Sequence, residues 1–314
     1  MKLSIICPTY NERDYIDLLA ERFCADDGIE KEVLITDGGS TDGTRERVGE
    51  LMKKYPNLKF VDNPKRTSTH AFNVAFKISS GMYVAFVGAH AEYDINYFKH
   101  AIHYLDGNEC DAVGGPLHQS GKTMAGKAIA LVMNSKMGVG NTEFRTMKKK
   151  MFVDSVAFAV YKREIFEKAG LMDESLPVNQ DDEFHYRINK LGFKILMVPE
   201  MQATYYVRSS FGKLFRQYFR YGLYKPRVLK KVKGSVRLRH LIPSLFMLYF
   251  LTLPLSIFWC WWLLPLILYL SFIIVTSFQF KAKLLTKILT VPVYPILHIS
   301  YGIGFIIGLF KMNA

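Results

Sequence analysis

The chain has 314 residues, is 50% hydrophobic and 14% aromatic, and carries a formal net charge of +13. It is too apolar and aromatic for a disordered polycation, and long enough for one large domain or two ordinary ones. The charge is uneven: residues 1–200 hold 26 Lys+Arg and all 28 Asp+Glu, a net of −2, while residues 201–314 hold 15 Lys+Arg and no acid, which disfavours a nucleic-acid binder built on the first two thirds.

Met1-Lys2 leads only a short apolar run before Pro8 and the polar Tyr10-Asn11-Glu12-Arg13, so no signal peptide is expected. Leu3–Cys7 reads as a buried strand, Asp14–Arg22 as a helix and Val33–Thr36 as a second strand. A helix follows over Asp42–Lys54, with Ser40, Thr41 and Asp42 available as caps. Leu58–Val61 is a third strand, Thr69–Ile78 a helix and Met82–Val87 a fourth strand. Repeated strand–helix–strand units predict a mostly parallel sheet covered by helices, with ligands beyond the carboxyl ends of the strands. Cys7, Cys24, Cys110 and Cys260 have neither metal spacing nor a disulfide framework, so a reducing compartment is expected.

Residues 204–240 carry 11 Lys/Arg, and Phe211, Leu214, Phe215, Tyr218, Phe219 and Leu223 recur at spacings of 3 and 4. This predicts a basic amphipathic helix at a membrane surface, or a cytoplasmic flank that only sets topology. Leu241–Phe280 has no acid and no Lys or Arg, and a second apolar stretch runs from Ile288 to Phe310. Three membrane segments are expected, about 241–259, 261–280 and 288–310. The alternative is a buried helical pair in a soluble core.

Three segments fall at strand ends: Pro8-Thr9-Tyr10-Asn11-Glu12, Asp37-Gly38-Gly39-Ser40-Thr41-Asp42-Gly43-Thr44 and Gly88-Ala89-His90-Ala91-Glu92. Asp37 can accept from a base or ribose, although Asp-Gly and Ser-Thr are also ordinary turn chemistry. There is no Gly-x-Gly-x-x-Gly and no phosphate loop ending in Gly-Lys-Ser/Thr, against dinucleotide and ATPase readings.

The first two segments, with Asn179-Gln180-Asp181-Asp182-Glu183-Phe184 and Arg187, resemble the family 2 glycosyltransferases over roughly residues 1–225. Asn63-Pro64-Lys65-Arg66, Asn73, Gly81 and Arg216-Gln217-Tyr218-Phe219-Arg220-Tyr221-Gly222 resemble the membrane-bound branch typified by succinoglycan-type exopolysaccharide enzymes. The resemblance implies an α/β fold of the GT-A type over 1–205, an interfacial segment over 206–240 and transmembrane helices over 241–314. It implies nucleotide-sugar contacts at Pro8, Thr9, Glu12, Asp37 and Gly88, with Lys65 and Arg66 facing the diphosphate. The family's Asp-x-Asp metal motif is matched here by Gly88-Ala89-His90, which leaves His90 as the metal ligand for Mn²⁺ or Mg²⁺ and Glu92 as a substitute acid. Asp181 aligns with the general base of an inverting transfer, with Asp182 next in line; acids in a helix's first turn also serve as plain caps. Gln217, Arg220 and Tyr221 match the Gln-x-x-Arg-Trp motif, with Tyr for Trp, and would meet the diphosphate and acceptor.

The implied enzyme is a membrane-anchored glycosyltransferase of the hexosyl type. Its donor would be a nucleotide diphosphate sugar and its acceptor a lipid-linked saccharide. Its catalytic domain would be cytoplasmic at the inner or plasma membrane, within reach of a polysaccharide assembly complex. The alternatives are transfer to polyprenyl phosphate itself, or a non-catalytic nucleotide-sugar-binding subunit, which Gly88 keeps open.

Overall fold

The computed structural model describes residues 2–139, 149–232 and 238–311. Its strands are β1 (Leu3–Thr9), β2 (Lys31–Asp37), β3 (Leu58–Asp62), β4 (Tyr83–Phe86), β5 (Ala91–Tyr93), β6 (Ala112–Gly115), β7 (Leu117–Ser120), β8 (Met151–Phe152), β9 (Ala157–Lys162), β10 (Ile195–Met197) and β11 (Ala203–Tyr206). Its helices are α1 (Arg13–Cys24), α2 (Thr44–Lys54), α3 (Ser68–Ile78), α4 (Tyr97–Asp106), α5 (Met124–Met133), α6 (Lys136–Val139), α7 (Glu164–Ala169), α8 (Gln180–Lys190), α9 (Phe211–Lys231), α10 (Leu238–Leu251), α11 (Leu264–Gln279), α12 (Leu284–Thr290) and α13 (Val293–Lys311). The chain forms two compact units, residues 1–118 with 143–205, and residues 119–142 with 206–314.

In the first unit an eight-stranded sheet has the order β3-β2-β1-β4-β9-β6-β10-β8. The β1–β2, β2–β3, β1–β4 and β6–β10 pairs are parallel, while β9 runs against both neighbours and β8 against β10. The strands buried on both sides alternate between two cores. Ile5, Cys7, Val33, Ile35 and Ala85 face the core filled by α1, α2 and α4. Ile6, Leu34 and Val84 face the core filled by Phe72 of α3, Phe166 of α7 and Phe184 of α8. This period of two is the pleat itself. A second, three-stranded sheet has the order β5-β11-β7. The four strands and three helices expected over the first 90 residues are present, each within two residues of its expected bounds. The fold is the GT-A α/β fold with a mostly parallel sheet. The reversed strand β9 was not expected, because nothing in its residues sets a direction.

In the second unit the expected amphipathic segment is the 21-residue α9, capped by Ser210. Among the described residues two helices are long and apolar enough to cross a membrane, Cys260–Gln279 and Leu284–Lys311. The stretch expected at 241–259 is instead α10, of 14 residues, followed by a 3₁₀ turn at Leu253–Ile257 with Pro254 in its first turn. Fourteen residues rise about 21 Å, short of a hydrocarbon core of about 30 Å.

α9 is held on α13 by backbone contact. A Cβ at Gly304 would lie 2.1 Å from the Phe219 carbonyl oxygen, one at Gly222 would lie 2.2 Å from that of Tyr301, and one at Gly308 would lie 2.4 Å from that of Leu223. Small residues at a helix–helix seam let dispersion replace the hydrophobic drive that lipid removes. Replacing Gly304 by Val should therefore cost about 1–3 kcal/mol through overpacking, read as a lower melting temperature of the full chain in detergent. Gly212→Ala, where a Cβ meets nothing within 4 Å, should be neutral or slightly stabilising.

Candidate active site

The parallel strands β1, β2 and β4 end together, and the loops that follow carry the expected nucleotide-site residues. Asp37, the last residue of β2, has a side chain with no solvent exposure. A buried carboxylate survives only if its lone pairs are satisfied. Its Oδ2 accepts from the Gly39 and Ser40 amides, both at 2.9 Å, and from Arg45 Nη1 at 3.2 Å. Its Oδ1 accepts from Ser40 Oγ at 2.5 Å and Thr9 Oγ1 at 3.4 Å. Asp37 thus folds its own loop and binds it to Thr9 at the end of β1, beside Pro8, which pairs with Thr36.

The β1 loop is tied to the same network. The Asn11 amide donates to Ser40 Oγ at 2.8 Å, Asn11 Oδ1 accepts from the Thr41 amide at 2.9 Å, and the Glu12 amide donates to Thr44 Oγ1 at 3.0 Å. Arg45 spans Asp37 and Asp62; it had no sequence signal beyond its place in the first turn of α2. Lys65 and Arg66 part company. Lys65 Nζ pairs with Glu174 at 2.7 Å, whereas Arg66, left-handed at φ 57°, lays its guanidinium over the Tyr10 ring at 5.7 Å.

At the end of β4, His90 Nδ1 meets Glu12 Oε1 at 3.1 Å, between the rings of Tyr15 and Tyr205. With Nδ1–H donating to the carboxylate, Nε2 carries the lone pair, the usual orientation of a ligating histidine. Among the described residues no group of three His, Cys, Asp or Glu side chains forms a metal cluster. One oriented imidazole nitrogen suits a divalent cation that takes its other ligands from a diphosphate. Glu92 lies on β5, opposite Thr204. Gly88 faces the ring of Phe158, a residue the sequence did not single out.

Asp181 and Asp182 stand in the first turn of α8, whose Asn179 cap is left-handed at φ 60° and makes no side-chain cap bond. The run of three acids is split by direction. Asp181 is exposed and Asp182 half-buried, but Glu183 turns inward onto Arg187 through two bonds of 2.9 Å. Arg187 also donates to the carbonyls of Gly170 and Leu171. The preceding loop is pinned by Asn73, which exchanges two hydrogen bonds with the Met172 backbone, and by Gln180 Nε2 donating to Ser68 Oγ at 3.1 Å.

One turn into α8, the fully buried His185 bridges Ser155 Oγ at 2.9 Å and Tyr161 Oη of β9 at 2.8 Å. Burial raises the Tyr161 hydroxyl well above its usual range, and the nearby Asp181 charge adds to the rise. In the second unit, Gln217 Nε2 donates to Tyr221 Oη at 3.0 Å, and Arg220 is exposed on α9.

Residues 4–170 match the family model described as glycosyl transferase family 2. The chain is 33% identical over 242 residues to the succinoglycan biosynthesis protein ExoA of Rhizobium meliloti strain 1021, covering 76% of this chain and 73% of that protein. It is 29% identical over 324 residues to a dolichyl N-acetyl-α-D-glucosaminyl phosphate 3-β-D-2,3-diacetamido-2,3-dideoxy-β-D-glucuronosyltransferase of Methanococcus voltae, covering 99% and 98%. Among solved structures it is similar to the mannosyltransferase PcManGT of Pyrobaculum calidifontis in complex with GDP-Man and Mn²⁺, at a TM-score of 0.63 and 18% identity over 99% of this chain and 87% of that one. The chain belongs to glycosyl transferase family 2 and is a glycosyltransferase.

The His185 environment makes a pH prediction. Burial pushes its imidazole down from 6.5 to about 4, against a weaker upward pull from Asp182. The unfolded chain therefore binds the proton first. Stability is complete above pH 6.5 and falls as the pH drops towards about 4, by roughly 3 kcal/mol from this group. Melts of the full chain between pH 7 and pH 4.5 should show a flatter acid slope for His185→Gln than for wild type.

Proposed function

We propose that the chain transfers a sugar from a nucleoside diphosphate sugar to a lipid-linked saccharide at a membrane surface, with inversion, in the synthesis of a cell-surface or extracellular polysaccharide. The observation that carries this reading is the presentation of Asp181 on a turn fixed from three sides, in a unit whose β2 strand ends in a buried carboxylate network. In the transfer, an Asp181 oxygen takes the acceptor hydroxyl's proton as that oxygen attacks the anomeric carbon. The bond from the anomeric carbon to the diphosphate oxygen breaks, and the nucleoside diphosphate leaves with the electron pair. Asp182 is the second candidate for the base.

We assign Pro8, Thr9, Glu12 and Gly88 to the walls of the nucleotide-sugar site, and Asp37 to holding the loop that meets the nucleotide. Arg66 is the cation better suited to the donor, since Lys65 is committed to Glu174. We assign Gln217, Arg220 and Tyr221 to the diphosphate and acceptor, because a planar guanidinium matches phosphate geometry. His90 would hold Mn²⁺ or Mg²⁺, and a cation there supplies charge neutralisation for the leaving diphosphate.

The lipid-linked acceptor is favoured because the Methanococcus voltae relative, matched over nearly its whole length, is named for a dolichyl-linked sugar. Transfer to polyprenyl phosphate itself is the second reading, supported by 25% identity to a dolichol-phosphate mannosyltransferase of Pyrococcus furiosus over 77% of this chain. The two apolar helices and the basic α9 support a multi-pass anchor in the inner or plasma membrane with the catalytic unit on the cytoplasmic side. The units would then be 1–205, 206–240 and 241–314.

Membranes containing the chain, incubated with a panel of radiolabelled nucleotide sugars, should move label from one of them into the lipid extract. Label on a bare polyprenyl phosphate would select the second reading. Asp181→Asn should lower transfer by about 10²–10⁴-fold while nucleotide binding stays unchanged. Wild-type turnover in that variant would remove Asp181 as the base.

A further inference from the structure

The second unit has no acidic side chain. Residues 119–142 hold Lys122, Lys127 and Lys136, residues 206–314 hold fifteen Lys and Arg, and neither stretch holds an Asp or Glu. No cation of this unit can therefore pair with a carboxylate side chain of its own unit. Like charges three or four residues apart on a helix repel, and α9 contains the pairs Lys213/Arg216, Arg216/Arg220 and Arg227/Lys230.

The fold gathers these charges on one side of α9. Lys213, Arg216, Arg220, Arg227 and Lys230 are all exposed. At about 100° and 1.5 Å per residue they share an arc of about 100° in a row about 26 Å long. Leu214, Gly222 and Val228 are buried on the other side of the helix. The apolar positions that predict insertion into a bilayer are largely engaged by protein. Leu214 has no exposure, and the backbone of Phe219 and Leu223 lies against Gly304 and Gly308 of α13.

We propose that α9 meets anionic phospholipid headgroups through this cationic row, by charge and not by sinking an apolar face into the bilayer. The inference rests on the reading of the second unit as membrane-facing, and it names the lipid class that unit meets. A row of this length reaches several headgroups, whereas one diphosphate would engage only part of it. A plane of negative charge offsets the repulsion within the row. Each Lys or Arg at such a surface strengthens binding roughly fivefold, and salt screens the attraction. A helix held by apolar insertion would instead take uncharged lipid equally well and would resist salt.

The test uses the full chain, immobilised in detergent micelles doped with radiolabelled dioleoyl phosphatidylglycerol or dioleoyl phosphatidylcholine, and counts the lipid retained. In about 0.05 M salt wild type should hold phosphatidylglycerol at least tenfold more strongly, and in about 0.5 M salt the preference should fall below twofold. Lys213→Gln, Arg227→Gln and Lys230→Gln combined should abolish the preference at low salt. The charge-keeping set Lys213→Arg, Arg227→Lys and Lys230→Arg should retain it, which separates lost charge from lost folding. Equal retention of the two lipids by wild type would overturn the proposal, as would a preference that survives the glutamine set or the higher salt. Polyprenyl phosphate held tenfold more strongly than phosphatidylglycerol, and released by the glutamine set, would assign the row to the acceptor and overturn the phospholipid assignment. Sugar transfer is measured separately, so an absence of transfer with the lipid preference intact would count against the proposed enzyme and not against this surface.

Discussion

A carboxylate with no exposure at the end of β2 is the constraint around which the candidate site is organised. The burial of the Asp37 carboxylate is tolerable only while its five donors remain in place. Those donors come from the end of β1, from the loop after β2 and from the first turn of α2. Satisfying one charge therefore fixes the relative position of three elements. Asn11, Glu12 and Thr44 extend the network, and Glu12 passes it on to His90 at the end of β4. Asp37, the residue expected to contact a nucleotide, also builds the loop around itself.

The acid run on α8 shows the same division of labour. Asp181, Asp182 and Glu183 are adjacent in sequence, but successive helical residues point about 100° apart. Glu183 is consumed in an ion pair with Arg187 that clasps the 169–171 carbonyls, while Asp181 faces outward. With no side-chain cap at Asn179, the turn is held by His185 on β9, by Arg187 on the preceding loop and by Gln180 on Ser68. A general base needs this kind of support, since the proton it takes must lie within hydrogen-bond reach.

In the second unit the charge and the apolar surface are joined through glycine. The helix that carries Gln217 and Arg220 is fixed by packing as well as by its amphipathic pattern, because Gly222, Gly304 and Gly308 bring its backbone against α13. The exposed Ile257, Phe258, Trp259 and Trp261 follow α10 and precede α11, a composition suited to the polar–apolar boundary of a bilayer. Fixed packing of α9 would hold Arg220 at a set depth relative to such a surface.

Local patterning made much of this legible. Short apolar runs located β1 to β3 and the helices between them, because strand and helix periods are written in neighbouring residues. Motif spacing named the family, and the acid-free last third marked the part that carries the two long apolar helices found among the described residues. What no local pattern encodes is which distant groups meet. The direction of β9, the separation of Lys65 from Arg66, the His185 bridge and the Phe158 ring over Gly88 each join residues two dozen or more positions apart, and the inward turn of Glu183 is set by an arginine that reaches back to the loop before the helix. Such contacts are chosen by burial and by the need to satisfy every buried polar group once the sheet has closed, so only the tertiary structure decided them.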